Sequence, residues 1–413
     1  MKCRYRFNVH RKFVEEDADM SPLTCKGFSA CGVAAGIKKN GDMDLGLLVS
    51  DRPAAVAAVF TTNIVQAAPV LLDRERVKAG TCRAVIVNAG NANCANGEEG
   101  MIAARTMTAA AARALGIAAD QVLAASTGVI GAPFPIDTVE SVVPDLVDHL
   151  NETGTDDLAR AIMTTDTRPK TGSRQGEAGG FPYGIVAVAK GSGMIRPDMA
   201  TMLCFVWTDA EVAVADLQAA LKRAVNVSFN RITIDGDTST NDTAILMANG
   251  ASGARIRTAD DLSAFQRLVA ELCLDLARQM VKDGEGVTKT VDLTVRGAQS
   301  DSEAHAIADT IAHSPLVKTA FFGEDANWGR ILAAAGRAGV DFDPDRVDLF
   351  FNDVQMVKNG RGCGLEAEKK ATEVLRLPEF SVTLDVNQGS GTAGMLTCDF
   401  SLDYVKINAD YRS

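Results

Sequence analysis

Histidine is scarce in this 413-residue chain: His10, His149, His305 and His313 are the only four, and they form no ligand-like cluster with each other or with cysteine. A zinc centre is therefore disfavoured. So is a Ser-His-Asp enzyme, because no G-x-S-x-G elbow is present either. No Gly-Lys dipeptide occurs, which removes a Walker A phosphate loop. Aromatic residues make up only 5%, against 36 glycines, so the core must be mostly Ala, Val, Leu and Ile. No apolar run approaches the roughly 20 residues that a membrane-spanning helix needs. The nine cysteines are odd in number and contain no C-x-x-C pair. That disfavours a secreted disulfide framework and favours reduced thiols in a cytoplasmic protein. The net charge of -11 gives a surface that repels phosphate backbones, so nucleic acid is not an expected partner.

What is present is ordinary globular composition, 46% hydrophobic and 23% charged. At about 150 residues per domain the length suggests two to three domains. Residues 1–19 carry five basic and four acidic side chains and no apolar core, unlike a secretory signal. A disordered extension and a true start at Met20 fit equally well. Beyond it, strand-like and helix-like runs alternate. Strands are expected at Ala55–Thr61, Cys82–Val87, Val122–Ser126 and Ile185–Lys190, and helices at Met101–Leu115, Val139–Leu150 and Val214–Val225. The clearest helix is Asp260–Lys282, with Phe265, Val269, Leu272, Leu276 and Met280 at 3-or-4 spacing and Gly284 placed to cap it. The glycine-rich stretch Thr171–Gly184 reads as a linker. Phe380–Val386 and Met395–Ile407 read as the two arms of a terminal hairpin turning at Gln388–Gly394. Gly389-x-Gly391-x-x-Gly394 matches a dinucleotide fingerprint, but a strand follows it where a helix N-terminus would be needed. The class is α/β or α+β, and periodicity does not choose between them.

The segment 189–204, AKGSGMIRPDMATMLC, is the most unusual. Two glycines break a strand, Pro197 fixes a turn, and an apolar strand starts beside Thr201. A threonine there has a plain reading, because β-branched residues favour strands. It also has a chemical one. If the chain were cut before Thr201, the new α-amino group, with a pKa of about 7.7–8, would lie one residue from the hydroxyl and could deprotonate it. Such a site needs no histidine.

Several motifs bear on the choice. They are KGSGMI at 190–195, ATMLC at 200–204, STGVIG at 126–131, NAGNAN at 88–93 and IMTTDT at 162–167. DGEGVTK at 283–289, GEDANWGRI at 323–331 and YVKINADY at 404–411 follow. In this order, from about Gly27 to the C-terminus, the chain resembles the ornithine acetyltransferase family, also called bifunctional ArgJ. The resemblance implies an α/β fold, an α+β layered sandwich of the ArgJ/DmpA-like self-processing type with an N-terminal threonine nucleophile. It implies cleavage between Ala200 and Thr201. Residues 1–26 would then be an extension, 27–200 would belong to an α chain and 201–413 would form a β chain, the two folding together.

By the same resemblance, Thr201 takes the acetyl group of N-acetylornithine and passes it to glutamate, with ping-pong kinetics. Thr127 and Gly128 supply the oxyanion hole; their plain reading is a strand-to-loop turn before Pro133. Thr164, Lys190, Glu285, Asn408 and Ser413 join Thr201 in binding substrate. Lys190 would neutralise a carboxylate, or be a solvated strand end. Glu285, between two glycines, would meet an ammonium, or be a loop charge. Thr164 could be a helix-terminal hydroxyl, and chain ends such as Asn408 and Ser413 usually fray. Arg412-Ser413 departs from the two threonines that often end the family, and Cys94-Ala95-Asn96-Gly97 departs from Ala-Cys-Thr-Gly. No cofactor or metal is expected, acetyl-CoA is a further candidate substrate, and two α and two β chains would assemble. The competing functions are an N-terminal-nucleophile amidohydrolase or aminopeptidase, which would pass the acyl group to water, and a ligand-binding protein that never cleaves.

Overall fold

A computed structural model describes residues 24–196 and 202–409. Ala200, Thr201, Ser413 and most of the 1–26 extension lie outside the described residues. The first part of the chain contributes strands β1 (Phe28–Val33), β2 (Leu45–Phe60), β3 (Thr81–Asn91), β4 (Val122–Val129), β5 (Lys170–Ala178), β6 (Phe181–Lys190), β7 (Leu203–Thr208) and β8 (Thr243–Ala248). Between them run α1 (Ala68–Arg76), α2 (Gly97–Leu115), α3 (Ile136–Asp148), α4 (Thr155–Ala161) and α5 (Val214–Val227), and α6 (Ala259–Lys282) follows. The eight strands form one sheet in the order β4-β3-β2-β8-β7-β6-β5, with β1 against β2. The β3–β4 and β7–β8 pairs are parallel and the remaining pairs antiparallel.

Side chains of a strand alternate between the two faces of a sheet. Ile185, Ala187 and Ala189 pack with Leu217, Leu221, Phe265, Leu272 and Leu276 of α5 and α6. Val186 and Val188 enter a second cluster with Phe205, Trp207, Met247 and α4 residue Leu158. Both faces are covered, which is why these strands read as continuous apolar runs. α2 and α3 pack their Met107 and Val139 against Leu45, Leu47 and Ile86.

The rest of the chain forms a second sheet from β9 (Thr290–Ala298), β10 (Asp348–Phe351), β11 (Val354–Lys358), β12 (Arg361–Gly362), β13 (Glu379–Asp385) and β14 (Gly391–Cys398), in the order β12-β11-β10-β13-β9-β14. Its core is shared with α7 (Asp301–Ala312), α8 (Pro315–Phe322), α9 (Trp328–Gly336) and α10 (Leu365–Leu375). α11 (Leu402–Ala409) closes the described chain. Leu396 and Cys398 of β14 join the α5–α6 cluster, so the two sheets share a core boundary. The architecture is mixed α and β in layers, as expected.

Three local expectations change. Thr171–Gly184 is not a linker: β5 and β6 pair along their length and turn at Gly179 and Gly180, both at positive φ. The terminal hairpin is not one either. β13 runs parallel to β9 and β14 antiparallel to it, so β9 lies between the two arms, and the alternation past Ser401 is the helix α11. Burial alternation reports a strand's faces but not its neighbour, which is how the hairpin reading arose. α6 spans the expected range and its C-cap is Asp283, which puts Gly284 at C′ as expected, but the left-handed glycine is Gly286, not Gly284.

At the other end of α6, Thr258 accepts from the Asp261 N–H while the Asp261 carboxylate accepts from the Thr258 N–H, a reciprocal capping box. Thr258→Ala removes the acceptor and is expected to cost about 1 kcal/mol, read as a lower urea midpoint with an unchanged slope; no change in midpoint would contradict the cap.

Candidate active site

The parallel strands β3 and β4 end together, and the polypeptide then needs polar groups to satisfy a buried loop. Ser126 donates to Asn88 Oδ1 at 2.6 Å, and Asn241 Nδ2 donates to both Ala92 O (2.6 Å) and Ser126 O (2.8 Å). Asn91 Nδ2 reaches Pro133 O at 2.9 Å. This asparagine frame fixes Thr127 and Gly128 at the end of β4. Thr127 is 5% exposed. Gly128 has φ 129°, and a Cβ there would lie 2.3 Å from the Gly90 carbonyl carbon, so only glycine fits against β3.

Across the sheet, β6 ends at Lys190, which pairs with Leu203 of β7. Its side chain is buried, and its ammonium donates to the Thr127 hydroxyl at 3.2 Å. Burial and the nearby Lys170 cation push the Lys190 ammonium below its usual pKa, while Asp166, Glu285 and Asp242 oppose them. Beyond Lys190 the chain turns sharply. Met194 adopts φ 57°, uncommon for a non-glycine. The turn is held by Asp235, whose carboxylate accepts from Met194 N (2.5 Å) and Ile195 N (2.9 Å). After residue 201, Met202 N donates to the fully buried Asp242 at 2.9 Å.

Glu285 arrives from the loop after α6. Its N–H donates to Ser192 O at 2.8 Å, and its carboxylate accepts from Asn408 Nδ2 of α11 at 2.8 Å. A Cβ on Gly193 would stand 2.5 Å from Glu285 Oε2, so that glycine makes room for the carboxylate. Gly286, at φ 67°, lets α11 approach, since a Cβ there would lie 2.3 Å from Tyr404 N.

Thr127, Gly128, Thr164, Lys190, Glu285 and Asn408 thus line one cleft with about 590 Å³ of empty space, its open mouth included. Among the described residues its lining offers one cation, one carboxylate and a few hydroxyls and amides, a set of polar groups that suits a small zwitterion such as an amino acid. Six residues singled out in the sequence meet here; Ala200, Thr201 and Ser413 are outside the described residues. Thr164 lies just past α4, not within it. The sequence reading missed Ser239, Thr240 and Asn241, which also line the cleft, and the buried Asp166. The polar run 235–242, DGDTSTND, immediately before the apolar strand β8, was the available signal.

The chain matches the family model described as ArgJ over residues 29–413. It is 54% identical over 393 residues to the arginine biosynthesis bifunctional protein ArgJ of Geobacter sulfurreducens, covering 95% of this chain and 100% of that one. The protein of the same name from Syntrophotalea carbinolica is 51% identical over 94% of this chain and 99% of its own. The crystal structure of arginine biosynthesis bifunctional protein argJ from Bacillus halodurans, at 40% identity, covers 50% of this chain and 97% of its own with a TM-score of 0.48. This chain is an acetyltransferase enzyme. It belongs to the ArgJ family.

Two outcomes follow from this geometry. Gly193→Ala should displace Glu285 and raise the KM for the substrate by about tenfold, with little loss of thermal stability; an unchanged KM would show that Glu285 needs no such clearance. Burial raises the Asp166 carboxyl's pKa, but the Lys190 and Lys170 ammoniums and its hydrogen bonds outweigh it and hold it at about 2. Since the unfolded value is about 3.9, this stabilisation is present above about pH 4 and is lost as pH falls toward 2. The stability advantage of the wild type over Asp166→Asn should therefore shrink between about pH 5 and pH 2.5, measured by urea unfolding. An advantage that does not change with pH would contradict the assignment.

Proposed function

We propose that this enzyme transfers the acetyl group of N2-acetyl-L-ornithine to L-glutamate, recycling acetyl groups in arginine biosynthesis. One observation carries the reading: in an ArgJ-family chain, a buried ammonium, a threonine hydroxyl and a left-handed glycine stand across a cleft from a carboxylate paired with an asparagine.

The chain first cleaves itself between Ala200 and Thr201. The Thr201 hydroxyl, its proton taken by the new α-amino group, attacks the acetyl carbonyl. The tetrahedral oxyanion is held by the Thr127 hydroxyl and the Gly128 N–H, and one such donor is worth roughly 2.7–4 kcal/mol of barrier. Collapse breaks the amide bond, and ornithine leaves with the proton. The glutamate amine then attacks acetyl-Thr201, so that N-acetylglutamate forms and the threonine is regenerated. Lys190 offers a cation to the substrate carboxylate, and Glu285, with Asn408, a carboxylate to its ammonium. Thr164 lines the pocket, and Ser413 also binds substrate. The reaction takes small molecules and no resident cofactor or metal, with acetyl-CoA as a second acetyl donor, and the α and β chains assemble as α2β2 in the cytoplasm.

Incubation with N-acetylornithine labelled in the acetyl group should place the label in N-acetylglutamate only when glutamate is added. Release as free acetate at the same rate without glutamate would instead identify an amidohydrolase. On a denaturing gel the wild type should give two bands and Thr201→Ala one band near 43.5 kDa; two bands from Thr201→Ala would exclude self-cleavage by that residue.

A further inference from the structure

Lys170 is the first residue of β5, and its side chain is fully buried. Its ammonium donates to Asp166 Oδ1 and to Asp283 Oδ2, each at 2.6 Å. A third donation, at 3.4 Å, goes to Arg168 O. Both carboxylates are themselves buried, and each holds backbone from another part of the chain. Asp166 accepts from Thr164 N at 3.0 Å and from Gly191 N at 2.8 Å. Asp283 accepts from Thr167 N at 3.0 Å and from the Thr167 hydroxyl. Among the described residues, the other cation on Asp283 is the guanidinium of Arg168 at 3.6 Å, on a side chain 65% exposed.

One ammonium therefore ties three segments that are far apart in sequence. They carry Thr164, then Lys190 and Gly191, then Glu285 two residues beyond Asp283. None of these three cleft residues is a hydrogen-bond partner of Lys170. We propose that Lys170 is a positioning residue: by bridging Asp166 and Asp283 it sets the spacing between the cationic wall of the cleft at Lys190 and the anionic wall at Glu285.

The physical reason is charge balance. Two carboxylates sharing a buried cation lose their common counter-ion if the lysine becomes neutral, and removing one member of a buried ion network leaves uncompensated charge. One of them must then protonate or move toward water. Either response slackens the backbone hydrogen bonds that the carboxylate accepts, so the loss spreads to all three segments together. A lysine that only stabilised β5 would loosen β5 alone. This inference rests on the proposed acetyl transfer only for its kinetic readout.

The test compares Lys170→Met, Lys170→Arg and the second-core variant Leu349→Ala, made in the full chain. Leu349 is fully buried in the other sheet and touches none of this network. Hydrogen exchange followed by mass spectrometry should show peptides covering 164–167, 190–192 and 283–286 opening together, about tenfold faster, in Lys170→Met. Lys170→Arg, which keeps the cation, should restore most of the protection. Leu349→Ala should lose stability without opening those peptides. In the transfer assay, Lys170→Met should raise the KM for N-acetylornithine by about tenfold or more, while Leu349→Ala leaves it unchanged. If Lys170→Met does not fold, Lys170→Gln, which keeps a donor without the charge, carries the same expectation. Faster exchange confined to 166–172, or equal opening in Leu349→Ala, would overturn the proposal. A wild type without transfer activity would overturn the functional reading, and the exchange data would still decide the role of Lys170.

Discussion

An ammonium buried beside a hydroxyl is the constraint around which this site is built. Taking Lys190 out of water is costly unless carboxylates surround it. The fold supplies them from separate places: Asp166 after α4, Glu285 after α6 and Asp242 before β8. Those carboxylates cannot remain unpaired either, and the consequences run outward. Asp166 takes a second cation, Lys170, and Asp283 shares it. Glu285 takes an amide from Asn408 and occupies the space a Cβ on residue 193 would need. A polar cluster is strengthened when its members satisfy one another, and here the groups that satisfy Asp166 and Glu285 also place the walls of the cleft, while Asp242 Oδ2 is left without a hydrogen-bond partner among the described residues.

The sheet explains why such distant residues can meet. β6 and β7 flank the segment that contains residues 197–201, yet they are hydrogen-bonded neighbours from Ile185 with Thr208 to Lys190 with Leu203. β2 pairs with β8 in the same sheet. A break in the chain at Ala200–Thr201 would leave two polypeptides sharing one sheet and two cores, so separation would expose the apolar faces of β6, β7 and β8. The second sheet is a partner to this arrangement. Its edge strand β14 contributes Leu396 and Cys398 to the first core and leads through Ser401 to α11, which brings Asn408 to the cleft.

Much of this was legible in the residues. α6 was readable because its apolar positions keep helical spacing from Phe265 to Met280, about four turns, and the cleft residues because their motifs stand in family order. The hairpin at 380–407 was misread because alternation tells which face is buried and not which strand lies alongside; β9, ninety residues earlier in the chain, separates the two arms. The glycines of 171–184 suggested a linker, whereas Gly172 and Gly176 sit under Leu272 and Tyr183, where a Cβ would clash. Lys170 gave no signal, and Asp166, though part of the IMTTDT motif, was not singled out, since a lysine four residues after an aspartate is ordinary until both side chains are found fully buried. Local sequence shows which groups are polar, and only the tertiary fold shows which of them have lost water.

The central claim is that acetyl resides covalently on Thr201 between two half-reactions. Protein incubated with N-acetylornithine in the absence of glutamate, quenched in acid and digested, can be read by mass spectrometry peptide by peptide. The account predicts one acetyl group on the peptide that begins with Thr201, discharged when glutamate is added before the quench. Acetyl found on another residue, or no acetylated peptide in protein that is actively transferring, would contradict it.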